Sequence, residues 1–175
     1  QLNIMDRLST LITERLRLNP AVTSDTDALW RLWTLPDVRR YMFDDVAMPR
    51  SEAAEWIAWT QTLHQRGLGT WVVRAKAGDM LGHIALVPAN SLAEHDRQFA
   101  GDIEFGIAFF PETWGKGYAM EALKAVLHHG IRDAGLSRIL GVADAPNTAS
   151  RTLQERAGFT YMCEVAWGPH PAIVS

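Results

Sequence analysis

The spacing of apolar positions changes period several times along the chain. Leu11 to Leu18 alternates imperfectly, Thr13, Arg15 and Arg17 against Ile12, Leu16 and Leu18, and Pro20 closes it, so the pattern predicts a strand. Thr23, Ser24 and Asp27 then supply N-cap chemistry for a helix whose stripe is Ala28, Leu29, Leu32 and Trp33, interrupted at Pro36. Ser51-Glu52 opens a second helix carrying Ala53, Trp56, Ile57, Thr60 and Leu63 on one face, and Gly67 and Gly69 end it. Thr70 to Ala75 and Met80 to Val87 are strands joined by a Gly78-Asp79 turn, a hairpin signal. The polar stretch Pro88 to Ala100 is expected to be a loop.

Asp102 to Phe110 alternates cleanly, with Ile103, Phe105, Ile107 and Phe109 on one face and Glu104, Gly106, Ala108 and Phe110 on the other. Glycines lead from it into the longest predicted helix, Gly117 to Ala134, with Ala119, Ala122, Leu123, Val126, Leu127 and Ile131 inward and Gly135 at its stop. Arg138 to Ala143 is a buried strand. Asn147 caps a helix with Ala149, Leu153 and Ala157 on one face, which Gly158 terminates, and Phe159 to Ala166 is a strand. Pro171 to Val174 begins another, from which a continuation past Ser175 is expected. Alternating strands and helices without linker or repeat predict a mixed α/β sheet with helices on its faces, one domain over residues 1–175 truncated in its last strand.

Composition narrows the function. The 175 residues are 47% hydrophobic with a net charge of −3, and the absence of a basic run argues against nucleic acid as a partner. The single cysteine, Cys163, can form neither an internal disulfide nor a cysteine-rich zinc site. With no long apolar segment, a cytoplasmic protein without a membrane partner is expected. Seven tryptophans and apolar strand ends are compatible with a monomer or a homodimer.

Chemistry concentrates between Ile103 and Ala122, where a strand runs through glycines into a helix. A helix start leaves N–H groups unpaired and carries partial positive charge, and glycines let a phosphate approach that backbone. The segment is therefore a candidate anion cradle, or else a tight turn. Gly-Lys-Ser/Thr is absent because Tyr118 follows Gly117, and Met120 stands where a dinucleotide fingerprint needs a third small residue. No G-x-S-x-G, H-E-x-x-H or C-x-x-C occurs, and His128 and His129 point about 100° apart on a helix, so no metal is expected.

Three blocks, Gly82-His-Ile-Ala85, Trp114-Gly-Lys-Gly-Tyr-Ala-Met-Glu-Ala122, and Asn147-Thr-Ala-Ser150 through Ala157-Gly-Phe159, resemble in order and spacing the Gcn5-related N-acetyltransferase (GNAT) superfamily, ribosomal-protein-alanine acetyltransferase (RimJ/RimL) type. The resemblance implies a mostly antiparallel sheet splayed beside the Ile107 strand. It implies acetyl-coenzyme A in the cleft along Ile107, Ala108 and Phe109, its diphosphate on the amides of Trp114, Gly115, Lys116, Gly117, Tyr118 and Ala119. One departure stands out: where the family usually has Gln or Arg, three residues before the first glycine, this chain has Glu112.

Amine acetylation needs a proton removed from an ammonium, and Glu104, beside the small Gly106 and Ala108, is the candidate base. A backbone N–H near Ile107 or Ala108 would stabilise the thioester oxygen. Ser150 or Tyr161 would give the departing thiolate a proton or a hydrogen bond, Ser150 being favoured by the resemblance. Asn147 is a helix cap by composition and a partner of the pantetheine arm by resemblance. Trp33, Tyr41 and Trp56 would shape the acceptor pocket, with Asp44 and Asp45 attracting a cationic amine; core packing is the competing role for the tryptophans. The acceptor expected first is a protein N-terminal amine, then a polyamine, amino acid or antibiotic-like amine. A non-catalytic acyl-coenzyme A sensor, supported only by Glu112, is the alternative from another class.

Overall fold

The hairpin signal at Gly78-Asp79 and the clean alternation after Asp102 mark the centre of an eight-stranded sheet. The computed structural model describes residues 8–175. Its strands are β1 (Leu11–Ile12), β2 (Leu16–Pro20), β3 (Gly69–Ala75), β4 (Met80–Pro88), β5 (Ile103–Phe109), β6 (Leu140–Asp144), β7 (Cys163–Val165) and β8 (Ala172–Val174). Its helices are α1 (Thr26–Thr34), α2 (Pro36–Arg39), α3 (Arg50–Gln61), α4 (Asn90–His95), α5 (Tyr118–His128) and α6 (Thr148–Ala157). The spatial order is β1-β2-β3-β4-β5-β6-β8-β7, antiparallel at every pairing except β5 with β6. This is the mixed sheet that the element pattern predicts, mostly antiparallel as the resemblance implies.

Both faces of the sheet are covered. On one, Leu123 and Val126 of α5 pack against Trp71, Ile84, Leu86 and Phe105. On the other, Leu29, Leu32 and Trp33 of α1 and Ala53 and Ile57 of α3 pack against Val72 and Phe110. Burying aliphatic and aromatic side chains on both sides stabilises the sheet by roughly 1.5–3 kcal/mol per side chain. Two glycines permit close approach: at Gly82 a Cβ would lie 2.3 Å from the Ala108 carbonyl oxygen, and at Gly141 it would lie 2.6 Å from the Gln154 side chain.

Several elements differ from the sequence pattern. The strand expected over Leu11–Leu18 is two strands, because Thr13 Oγ1 accepts the Leu16 N–H (3.0 Å) and Thr13 N–H donates to the Leu16 carbonyl (3.0 Å), folding a tight turn. The stretch expected to be a loop, Pro88 to Ala100, contains α4 and a 3-10 turn at Arg97–Phe99, anchored by fully buried Leu92 and Phe99. The helix expected to reach Ala134 is α-helical only to His128. It widens into a π turn over His129–Asp133, where His129 Nε2 meets the Gly67 carbonyl at 2.9 Å and Ile131 turns outward, 45% exposed. The strand expected over Phe159–Ala166 shrinks to β7, and β8 inserts between β7 and β6, pairing with both. Among the described residues no helix is long and apolar enough to cross a membrane.

Gly82→Ala forces its methyl into the β5 backbone and is expected to cost about 1–3 kcal/mol by overpacking, read as a lowered urea midpoint; an unchanged midpoint would mean that the β4–β5 spacing is not set there.

Candidate active site

Strand β5 bonds β4 along its whole length but β6 only at Glu104↔Leu140 and Phe105↔Gly141. Phe110 N–H donates to the Leu81 carbonyl and Ala89 N–H to the Asp102 carbonyl, both at 2.9 Å, so even-numbered residues of β5 address β4 and odd-numbered ones address β6. Past Phe105 the two strands part, leaving the N–H and C=O of Ile107 and the N–H of Phe109 without a strand partner among the described residues. Trp114 Nε1 donates to the Phe109 carbonyl at 2.8 Å.

The gap is a cleft of about 740 Å³ between β5, the start of α5 and the start of α6. At its α5 end, Gly115 (φ 75°) and Gly117 (φ 79°) adopt the left-handed conformation that glycine favours. They turn the chain so that the first N–H groups of α5 open toward the gap; the first intrahelical bond runs from Glu121 N–H to the Gly117 carbonyl (3.1 Å). A Cβ on Gly115 would meet nothing within 4 Å, so the space in front of this turn is open. Unpaired N–H groups with a helix dipole behind them suit an anion.

Glu104 lines the cleft where β5 still pairs with β6. Its Oε2 is buried with no hydrogen-bond partner, and burial pushes its pKa up to about 7. Its neighbours on that face, Gly106 and Ala108, are small and also line the cleft; a Cβ on Gly106 would meet nothing within 4 Å. Across the gap Asn147 Oδ1 caps α6 by accepting the Ser150 N–H at 3.2 Å, so the capping role is the one its side chain performs. Ser150 Oγ accepts from Gln154 Nε2 at 3.4 Å, leaving its own hydrogen free to donate.

The third wall is the loop after α2. Phe43, Asp44 and Asp45 follow one another at φ 50°, 54° and 58°, a left-handed run of the kind that clusters at binding sites because it costs strain. Tyr41, Phe43 and Asp44 line the cleft from this loop, facing Asp144 at the end of β6. Burial holds the Asp144 carboxyl above the usual range; His170 opposes the shift and Asp44 adds to it.

The structure thus brings together Glu104, Ile107, Ala108, Phe109, Trp114, Gly115, Gly117, Tyr118, Ala119, Asn147, Ser150 and Tyr41 around one gap. Other candidates stand outside the lining. Trp33 is fully buried, its Nε1 donating to Nδ1 of His83 at 3.0 Å; burial drives the His83 pKa down to about 3, so the ring stays neutral and accepts. Trp56 donates to Thr70 Oγ1 at 3.2 Å. Both tryptophans pack edge-on against Phe43, at 5.7 and 6.1 Å between centroids, so they back the wall without lining it. Tyr161 is 62% exposed, because the chain does not enter β7 until Cys163. Lys116 is exposed between the two glycines. Asp45 pairs with Arg39 at 3.2 Å.

Three residues escape the sequence pattern. Asp144 carries a signal, an acid at the carboxyl end of a buried strand. Trp167, stacked on His95 at 4.6 Å, and Arg15, which donates to the Lys116 carbonyl, carry none, since their partners are distant in sequence.

Comparison with known proteins agrees with this geometry. The family described as an acetyltransferase (GNAT) domain matches residues 15–160. The uncharacterized Bacillus subtilis protein YkkB is 29% identical over 161 residues, covering 90% of this chain and 88% of that one. An acetyltransferase of the GNAT family from Bacillus anthracis superposes with a TM-score of 0.75 at 21% identity, covering 94% and 95% of the two chains. RimL, a ribosomal L7/L12 alpha-N-protein acetyltransferase solved with coenzyme A, superposes with a TM-score of 0.73 at 19% identity, covering 94% and 95%. With that family model matching residues 15–160, most of the chain, the chain belongs to the GNAT acetyltransferases.

Proposed function

We propose that the protein transfers an acetyl group from acetyl-coenzyme A to a protein N-terminal amine by direct attack within the cleft, with Glu104 as general base. The observation that carries the reading is the Glu104 carboxyl, buried without a partner beside two small residues and poised near neutrality. A base whose pKa lies near the working pH is ionised often enough to accept a proton and basic enough to hold it.

The cleft fits the coenzyme. Diphosphate oxygens match the N–H groups from Gly115 to Ala119, and the amide-rich arm matches the bare edge of β5. The thioester then lies along Ile107, whose N–H faces the gap. As the amine adds, the thioester oxygen gains negative charge that this N–H stabilises by about 3 kcal/mol. Glu104 takes the amine's proton directly or through water. The C–S bond breaks and Ser150 donates to the departing sulfur; Tyr161, the other candidate, stands outside the cleft.

Tyr41, Asp44 and Asp144 give the acceptor side an aromatic wall and negative charge suited to an ammonium. The N-terminal amine is preferred on the likeness to RimL, described as an alpha-N-protein acetyltransferase of ribosomal L7/L12. The same acids favour a small cationic amine as the second reading. N-terminal mass spectrometry of a deletion strain separates them: lost acetylation of one or a few N-termini supports the first, and an unchanged set with turnover of small amines supports the second. A sensor would bind acetyl-coenzyme A in calorimetry without releasing thiol to any amine.

Glu104→Gln is expected to lower the acetylation rate more than tenfold with coenzyme affinity nearly unchanged, and to abolish the rise of kcat/KM through about pH 7. The folded protein holds this proton more tightly than the unfolded chain does. The fold therefore carries no penalty from Glu104 well below pH 4.5 and loses stability as pH rises through about 7, by at most about 3 kcal/mol. The same variant should accordingly raise Tm at about pH 9 and not at about pH 4. A Tm raised equally at both would remove the buried charge from the account.

Gly106→Val places a β-branched side chain in open space on a strand. Tm is expected within about 3 °C of wild type, with acetyl-coenzyme A affinity in calorimetry at least about tenfold weaker. Unchanged affinity would place the coenzyme elsewhere.

A further inference from the structure

Arg15 lies in the turn between β1 and β2, 101 residues from Lys116, yet its side chain ends at the glycine turn. Its Nη1 donates to the Lys116 carbonyl at 2.8 Å, its Nε donates to Glu121 Oε2 at 2.6 Å, and its guanidinium carbon sits 4.7 Å from the Tyr118 ring centroid. The Glu121 carboxylate is itself fixed: Oε1 accepts from Thr13 Oγ1 at 2.6 Å and from the Arg15 N–H at 2.8 Å. Burial would raise the Glu121 pKa, but these hydrogen bonds and the Arg15 charge outweigh it and hold the carboxyl below its usual range. The guanidinium is thus gripped on two edges by groups that are themselves held.

Peptide geometry carries this grip into the cleft. In a planar trans peptide the carbonyl and the next N–H point in opposite directions. Holding the Lys116 carbonyl toward Arg15 therefore directs the Gly117 N–H the other way, and Gly117 lines the cleft. Without that hold, a peptide next to residues as permissive as Gly115 and Gly117 can flip at little cost, presenting an oxygen where the cradle needs a donor. The Arg15–Glu121 pair also offsets a carboxylate one turn into the helix that receives the anion.

We propose that Arg15 is a positioning residue for the diphosphate of acetyl-coenzyme A, acting through the Lys116–Gly117 peptide. It supplies from the N-terminal hairpin an ordering contact for the cradle of a motif that has the acidic Glu112 where Gln or Arg is usual. The proposal rests on the reading of the cleft as the coenzyme site.

The test compares acetyl-coenzyme A with acetyl-pantetheine, a donor with the same thioester arm and no diphosphate, in wild type, Arg15→Gln and Arg15→Lys. The ratio of kcat/KM for the two donors is expected to fall about tenfold in Arg15→Gln, the size of one lost charge-assisted hydrogen bond. It is expected to fall at least about threefold in Arg15→Lys, which keeps the charge and loses the two-edged grip. In both, the loss should sit in KM for acetyl-coenzyme A, with kcat at saturating coenzyme and KM for the amine within about twofold of wild type. A ratio unchanged in both variants, whether activity with each donor stays or falls in parallel, would overturn the proposal and leave Arg15 a structural tie. Should wild type turn over neither donor with any amine, the reading of the cleft fails first and the proposal with it.

Discussion

The parting of β5 from β6 is the constraint on which the site depends. A strand buried in a sheet must satisfy its backbone on both edges, and β5 lies in register with β4 over seven consecutive residues but with β6 over only two. The result is a run of backbone donors and acceptors held open by cores on both faces of the sheet, with α5 beginning at the end of that run. On its other edge β5 lies close against β4: a Cβ on Gly82 would lie 2.3 Å from the Ala108 carbonyl oxygen. A ligand rich in amides can take up what β6 leaves bare.

Groups of opposite charge line the same gap. The α5 end presents N–H groups and the positive end of a helix dipole. Asp44, Asp144 and Glu104 also line the cleft. An anionic coenzyme and a cationic amine would accordingly enter with opposite preferences and meet near Glu104. The left-handed run Phe43–Asp45, costly in isolation, is kept in place by Trp33 and Trp56 packing behind Phe43. The two early tryptophans thus back the loop wall of the cleft.

The elements readable from sequence are those whose pattern is set locally. The alternation in β5, the Gly78-Asp79 hairpin and the stripe on α5 need no distant partner, and the Asn147 cap and the Gly115–Gly117 turn are legible for the same reason. The break at Thr13 to Arg15 is not, since the local Thr13–Leu16 turn that makes it is tied to Glu121, through Thr13 Oγ1 and the Arg15 N–H, across more than a hundred residues. Trp33 shows the limit for side chains: spacing places it on the apolar face of α1 but cannot tell a residue that lines a cleft from one bonded to a neutral histidine beneath it. Tyr161 falls outside the gap because β7 starts two residues later, and in a short edge strand that changes whether a ring reaches the gap at all.

Backbone amide chemical shifts during titration with acetyl-coenzyme A test the opened strand edge most directly. The largest perturbations are expected at the N–H groups of Ile107, Phe109, Gly115 and Gly117, with Ala108, whose N–H is engaged by β4, moving less. Saturable binding that leaves those four amides still while shifting others would contradict the assignment of the cleft.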